Sequence, residues 1–80
     1  MYYYNNMYKE LYIMAVMNNM QIKSYFIYDV KNCSDIYNYF EKKYNKKILL
    51  YHQNNIPLYE DNLEKIVNKK DSSLFLRVFI

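Results

Sequence analysis

The sequence predicts an α+β fold in which a mixed sheet of four to five strands packs one face against a single main helix. In the first half, two strand-like segments meet at Asn18-Asn19 and are followed by an amphipathic helical segment. In the second half, shorter apolar segments alternate with polar turns. A sheet with one buried face needs a helix to cover that face, and this order of segments supplies one.

The composition indicates one folded domain. The chain has 80 residues, of which 52% are hydrophobic and 20% aromatic, with twelve Tyr and no Gly. This apolar content is enough for one core and argues against disorder. We expect a domain over residues 9–80, preceded by a Tyr- and Asn-rich extension over residues 1–8.

Targeting and redox features indicate a cytoplasmic or nuclear protein without a membrane partner. The segment MYYYNN lacks the basic start of a secretory signal, and the apolar run from Leu11 to Met17 is too short to span a bilayer. The single cysteine, Cys33, excludes an internal disulfide and has no metal-ligand spacing around it. We interpret Cys33 as a small structural residue, with a reactive thiol as the alternative.

The first two strands are predicted to form a hairpin. The continuous apolar run from Leu11 to Met17 is typical of a strand buried on both faces. Asn18-Asn19 suits the turn because Asn accepts positive φ better than other residues except Gly. The segment from Met20 to Val30 alternates, with Tyr25 and Ile27 expected on its outward face. Its expected inner face consists of Met20, Ile22, Phe26, Tyr28 and Val30.

A helix is predicted after the hairpin, capped by Ser34 or Asp35 and ending at Asn45. Its apolar positions recur at helical spacing and are Ile36, Tyr39, Phe40 and Tyr44. From Ile48 to Ile80 the chain reads as a strand, an Asn54-Asn55 turn, a short strand, a small helical turn, a polar hairpin and a last strand. The predicted core comprises Ile13, Ala15, Ile22, Phe26, Tyr28, Ile36, Phe40, Leu58, Leu63, Leu74 and Leu76.

Two segments carry a resemblance to a known family. SDIYNYFEKKY resembles the start of the ubiquitin helix, and KKDSSLFLRVFI resembles the last hairpin and strand of ubiquitin. Leu58, Leu63, Val67, Leu74 and Leu76 fall where the second half of ubiquitin has buried residues. The chain from Leu11 to Ile80 therefore resembles ubiquitin-like β-grasp domains, and the ubiquitin-fold and autophagy-type modifiers share the pattern about as well. The resemblance implies a β-grasp fold and a role in protein–protein interaction.

The resemblance also implies a binding surface. Ubiquitin is recognised through an aliphatic patch, and the equivalent positions here are expected at His52 and Arg77, flanked by Phe75. We expect this surface to be polar and cationic, because a partner of the aliphatic patch would have to bury Arg77 unpaired. The candidate partner-binding residues are therefore His52, Phe75 and Arg77.

Conjugation is not expected. Ubiquitin-like modifiers react through a C-terminal diglycine, whereas this sequence ends Val78-Phe79-Ile80. The leading interpretation is a non-catalytic protein-interaction module that is not conjugated as it stands. A ubiquitin-like modifier with a truncated tail is an alternative.

The charges suggest a second alternative. Lys42, Lys43, Lys46 and Lys47 form a secondary basic patch, although the net charge is only +3 and the chain has one Arg. A solvated helix end explains them, and a domain that binds an acidic polymer such as nucleic acid or a microtubule is the competing hypothesis. No pattern predicts a catalytic site, a metal site or a cofactor, so we do not expect an enzyme. Self-association through the outward face at Tyr25 and Ile27 is a further expectation.

Overall fold

The computed structural model describes residues 3–4, 7–52, 56–58 and 63–80. They form a mixed six-stranded sheet and two helices, which confirms the predicted α+β class. The predicted Asn54-Asn55 turn lies outside the described residues. In chain order the elements are β1 (Tyr3–Tyr4), β2 (Met7–Val16), β3 (Ile22–Val30), α1 (Cys33–Tyr44), β4 (Leu49–His52), β5 (Ile56–Pro57), α2 (Leu63–Ile66) and β6 (Ser73–Phe79).

Strand β2 is an inner strand of the sheet with a long neighbour on each edge. It pairs antiparallel with β3 along one edge and parallel with β6 along the other, where Tyr12 lies opposite Ser73 and Val16 opposite Arg77. Strand β6 pairs antiparallel with β4, and β4 pairs with β5. The main spatial order is therefore β3-β2-β6-β4-β5, and β1 folds back antiparallel on the start of β2.

The hairpin turn forms where it was predicted, but a different residue takes the unusual backbone conformation. The N–H of Met17 donates to the carbonyl of Gln21 at 2.8 Å, and the N–H of Met20 donates to the carbonyl of Met17 at 2.9 Å. Met20 has φ 68°, so the left-handed residue ends a three-residue loop instead of being one of the two asparagines. Asn19 contributes by accepting the N–H of Gln21 through Oδ1 at 3.0 Å.

This loop reverses the predicted faces of β3. Ala15 lies opposite Lys23 and Ile13 opposite Tyr25, so odd-numbered residues of both strands share the inner face of the sheet. Tyr25 and Ile27 are buried, and the predicted core residues Ile22, Phe26 and Tyr28 are exposed. The prediction was wrong because β3 carries apolar residues on both faces, and the turn, which sets the register, decides which face is buried.

Strand β2 also differs from its prediction. It begins at Met7, so the first paired residues fall within the segment assigned to the extension. Only one of its faces is buried, because Met14 is exposed on the other. Near the far end of the hairpin, Asp29 has φ 59°, and this conformation breaks the alternation so that Val30 is buried although Tyr28 is exposed.

Helix α1 begins two or three residues earlier than predicted, with Asn32 as its cap. The Asn32 side chain accepts the N–H of Asp35 at 3.2 Å, and the Asp35 carboxylate accepts the N–H of Asn32 at 3.2 Å, which is a capping box. The predicted caps, Ser34 and Asp35, are therefore wrong, although Asp35 is the third helical residue of the capping box. The predicted stop is confirmed, since Asn45 is left-handed at φ 55° and ψ 42°.

The core lies between α1 and the inner face of the sheet. The predicted core residues that are buried are Ile13, Ala15, Ile36, Phe40, Leu58, Leu63, Leu74 and Leu76. The Tyr37 hydroxyl lies 3.3 Å and 3.1 Å from the carbonyls of Leu50 and Leu58 and ties α1 to the end of β4. Cys33, at the first helical position, is buried.

Candidate functional site

The face of the sheet opposite α1 carries an apolar surface, which we call the outer sheet face. Its residues alternate along each strand with the core residues, and four strands contribute to it. Its members are Glu10, Tyr12, Met14, Val16, Ile22, Ser24, Phe26, Tyr28, Leu49, Tyr51, Phe75, Arg77 and Phe79. Within the described residues no element covers this face.

The outer sheet face exposes large side chains near its centre and at both ends. Phe26 is 52% exposed, Tyr28 61%, Leu49 57% and Phe75 49%. Single exposed apolar residues are ordinary on protein surfaces, but adjacent ones on paired strands form a continuous patch. Such patches mark surfaces that bind other molecules.

Aromatic contacts hold this surface together. The rings of Tyr12 and Phe26 are 5.1 Å apart, and the hydroxyl groups of Tyr12 and Ser24 are hydrogen-bonded at 2.9 Å. Phe75 lies beside Met14 across the parallel β2–β6 pairing. Contacts of this kind restrict the rotamers of these side chains, which reduces the conformational entropy that they lose on binding.

Arg77 lies in a shallow hollow at the β4–β6 end of the outer sheet face. The hollow is about 480 Å³ and is lined by Leu49, Tyr51, Arg77 and Phe79. The guanidinium carbon of Arg77 is 5.3 Å from the centroid of the Phe79 ring, and Tyr51 meets the same ring edge-on at 5.6 Å. Arg77 thus packs as a cation against aromatic surface. The expectation of a polar and cationic surface is wrong, because apolar side chains surround this one cation.

His52 does not lie with Phe75 and Arg77 on the outer sheet face. In β4 the outward residues are Leu49 and Tyr51, and Tyr51 is the residue opposite Arg77. His52 is one position further along and therefore faces inward, with 8% of its surface exposed. It borders a cavity of about 220 Å³ with Ile66 and Phe75 among the lining residues. Neither ring nitrogen of His52 has a hydrogen-bond partner within the described part of the chain.

The predicted basic patch lies on a different side of the molecule. Lys42 and Lys43 occupy the last turn of α1, and Lys46 and Lys47 follow it; all four are exposed. The Lys43 ammonium lies 5.5 Å from the ring centroid of Tyr25 and 5.9 Å from that of Tyr39. The end of the helix therefore favours these cations through its dipole and its aromatic neighbours.

Among the described residues, no three His, Cys, Asp or Glu side chains cluster in a way that could hold a metal ion. In the same residues, no helix has the length and hydropathy needed to cross a bilayer.

Sequence reasoning missed most of the outer sheet face. Leu49, Tyr51 and Phe79 were not singled out, and Phe26 and Tyr28 were assigned to the core. The available signal was the apolar content of both faces of β2 and β3. When two paired strands are both apolar on both faces, one face remains uncovered by a single helix.

No protein-family model matches the chain, and neither a curated protein nor a solved structure matches it.

Proposed function

We propose that this chain is a ubiquitin-like β-grasp domain that acts as a non-catalytic protein–protein interaction module. The outer sheet face, centred on Phe75 and Arg77, is the proposed binding surface. The observation that carries the proposal is the continuous uncovered apolar patch on four paired strands.

The strand order supports the β-grasp part of the proposal. A hairpin, β2–β3, is followed by the crossing helix α1, and the last strand β6 then inserts beside β2 in parallel. The remaining strands pair antiparallel outside β6. Among the described residues, this arrangement leaves the face opposite the helix uncovered, which is the face that ubiquitin uses for recognition.

The chemistry of the surface supports a protein partner. Interface centres are rich in aromatic residues, Met and Arg and poor in other charges. Phe75, Met14, Phe79 and Arg77 supply this composition within one surface. Residues of this kind are the usual anchors of binding energy when a partner covers them.

His52 is not part of the proposed contact surface. Its ring is buried on the inner side, so substitution of His52 would destabilise the fold and would not remove a direct contact with a partner. The cation that remains at the surface is Arg77, packed on Phe79. A partner with a carboxylate near its apolar centre would complement the positive charge of Arg77.

The test compares binding by matched surface variants. Wild-type chain and the variants Phe75→Asp, Leu49→Asp and Lys46→Glu/Lys47→Glu are immobilised, and the proteins each retains from a cell extract are quantified. We expect both outer-face variants to weaken retention of the same partner by at least about tenfold, because a buried carboxylate replaces an apolar contact. The lysine variant is the control and should retain that partner.

Loss of binding only in the lysine variant, with a steep decrease of wild-type binding as salt increases, would contradict the proposal. That result would instead support the acidic-polymer hypothesis, since phosphate-type contacts are strongly salt-dependent.

A further inference from the structure

Strand β3 is a long edge strand of the sheet. It spans nine residues, Ile22–Val30, and within the described residues it pairs only with β2. Exposed edges of this length present unpaired backbone groups that can add another strand. This edge shares Ile22, Ser24, Phe26 and Tyr28 with the outer sheet face, but β2 separates it from Phe75 and Arg77 on β6.

The hydrogen bonds of the hairpin show which backbone groups face away from β2. Met17 and Gln21 form a hydrogen-bonded pair at the turn, and such pairs recur at every second residue of an antiparallel ladder. On the opposite edge of β2, Tyr12 donates its N–H to the Ser72 carbonyl, which fits the same alternation. The residues whose N–H and C=O groups point away from the sheet are therefore Ile22, Ser24, Phe26 and Tyr28.

We propose that two copies of this chain associate by antiparallel pairing of their β3 edges, with Phe26 of one copy opposite Phe26 of the other. A two-fold axis at Phe26 places Ser24 opposite Tyr28 and Tyr25 opposite Ile27. Because the outward-pointing residues are all even-numbered, this register joins donors to acceptors from Ser24 to Tyr28, up to the left-handed Asp29. The two Phe26 rings, each half exposed, meet at the axis.

Charge complementarity selects this register and the second copy as occupant. With the axis at Phe26, Lys23 of each copy comes level with Asp29 of the other, and both residues are exposed. Asp29 is left-handed and ends the regular alternation of β3, so this charge pair lies at the rim of the paired segment. The two-fold symmetry produces this pair twice. An axis at Tyr25 would instead place Lys23 opposite Ile27 and leave Asp29 beyond the paired segment. Opposite charges directly across a strand pair are stabilising, and like charges are destabilising.

The proposed dimer uses a different surface of β3 from the one expected from the sequence. Tyr25 and Ile27 were expected to face outward and mediate self-association, but both are buried under α1. The association passes instead through the backbone edge and the exposed side chains of β3. A strand-to-strand contact buries less area than a face-to-face interface, so the dimer is weak and depends on concentration.

The first experiment uses complementary charge variants and sedimentation equilibrium. In Lys23→Glu, and separately in Asp29→Lys, each homodimer has like charges in both pairs, and we expect the dimer dissociation constant to rise by about tenfold or more. An equimolar mixture of the two variants restores both opposite-charge pairs between unlike copies. The mixture should therefore dimerise about as strongly as the wild type. Circular dichroism of each variant alone checks that it is folded.

The second experiment follows amide hydrogen exchange as protein concentration is raised. The amides of Ser24, Phe26 and Tyr28 should exchange more slowly at high concentration, because pairing gives them acceptors. The amides of Tyr25 and Ile27, which bond to β2, should be protected at every concentration and serve as the internal control.

A wild-type chain that stays monomeric across the concentration range would overturn the proposal. The proposal would also be overturned if the charge variants dimerised as strongly as the wild type. If, in addition, Phe75→Asp abolished dimerisation, the contact would be assigned to the outer sheet face. Capture of a short extended peptide by a chain that remains monomeric would show that the edge serves a different occupant.

Discussion

Leu74 and Phe75 are neighbours in the chain but face opposite sides of the sheet. Leu74 is buried in the core on the inner face of the sheet, whereas Phe75 stands on the outer sheet face. The alternation of β6 produces this difference, since successive side chains of a strand point to opposite faces. One residue therefore contributes to stability and the next is available for binding.

Truncation of Leu74 tests the residue-level description of the core. Leu74→Ala should lower the free energy of unfolding by roughly 2–5 kcal/mol, because it removes a buried side chain and leaves a cavity. Urea denaturation measures this change. The control, Phe75→Ala, should cost much less because half of that ring is already in solvent. Equal losses of stability in Leu74→Ala and Phe75→Ala would show that Leu74 is not a buried core residue.

Tyr25 supplies a pH-dependent prediction. Burial raises the pKa of the Tyr25 hydroxyl, and its hydrogen bond with Tyr44 raises that pKa further. A raised pKa in the folded state means that folding favours the neutral hydroxyl. The stabilisation that this hydroxyl adds to the free energy of unfolding is complete below about pH 10 and is lost as the pH rises above that value.

We therefore expect the wild-type stability to fall steeply in alkaline solution and the fall to be shallower in Tyr25→Phe. Urea denaturation at a series of pH values from about 8 to 11 provides the slopes. Tyr28→Phe, at an exposed position, is the control and should keep the wild-type slope. A Tyr25→Phe slope equal to that of the wild type would contradict the assignment.

At the scale of single elements, α1 shows how much local sequence can predict. Its apolar spacing and its stop at Asn45 were readable because helix periodicity and left-handed asparagine are local signals. The cap was placed too late because Asn32, Ser34 and Asp35 are all residue types that cap helices. Only the hydrogen bonds distinguish the cap, Asn32, from Asp35, which returns a bond to it.

The capping box can be tested by substitution. Asn32→Ala should destabilise the protein by about 1 kcal/mol, because the N–H of Asp35 loses its acceptor. Asn38→Ala, at an exposed position inside the same helix, is the matched control and should be neutral or slightly stabilising, since Ala is the better helix former. Thermal denaturation compares the two. Equal losses would show that the Asn32 side chain does not act as a cap.

Strand β3 shows what local sequence could not predict. The choice of buried face depends on the register with β2, and the three-residue loop ending at Met20 sets that register. Asn18-Asn19 indicated a turn but not its length or the residue with positive φ. A change of one residue in the loop would exchange the two faces, so periodicity within β3 alone was insufficient.

At the scale of the whole molecule, the fold class could be read from the order of the elements, and the candidate site could be read only in part. Phe75 and Arg77 were placed on one surface by the resemblance to ubiquitin, and their two-residue spacing in β6 does put them on the same face. His52 was misplaced because a register between β4 and β6, separated by many residues in sequence, cannot be inferred from local patterns. The apolar character of the outer sheet face emerges only when four strands are assembled.

The whole-molecule arrangement separates the basic patch from the outer sheet face, and this separation predicts distinct effects. Arg77→Glu should abolish binding of a protein partner, whereas Lys46→Glu/Lys47→Glu should change mainly the association rate, because exposed rim charges steer encounter more than they stabilise the complex. Surface plasmon resonance with the captured partner measures both rates. A larger loss of affinity in the lysine variant than in Arg77→Glu would show that the binding surface lies at the end of α1.

The parallel pairing of β2 with β6 also has a kinetic consequence. Tyr12 and Ser73 are pairing partners although most of the chain separates them, so their contact closes a very large loop. The entropy of loop closure is lost before the contact can stabilise the protein. The β2–β3 hairpin and α1 are local and can form first. We therefore expect Ile27→Ala to slow refolding, whereas Leu76→Ala should mainly accelerate unfolding. In stopped-flow measurements, a Leu76→Ala variant whose entire effect appears in the refolding rate would show that the two ends of the chain meet early.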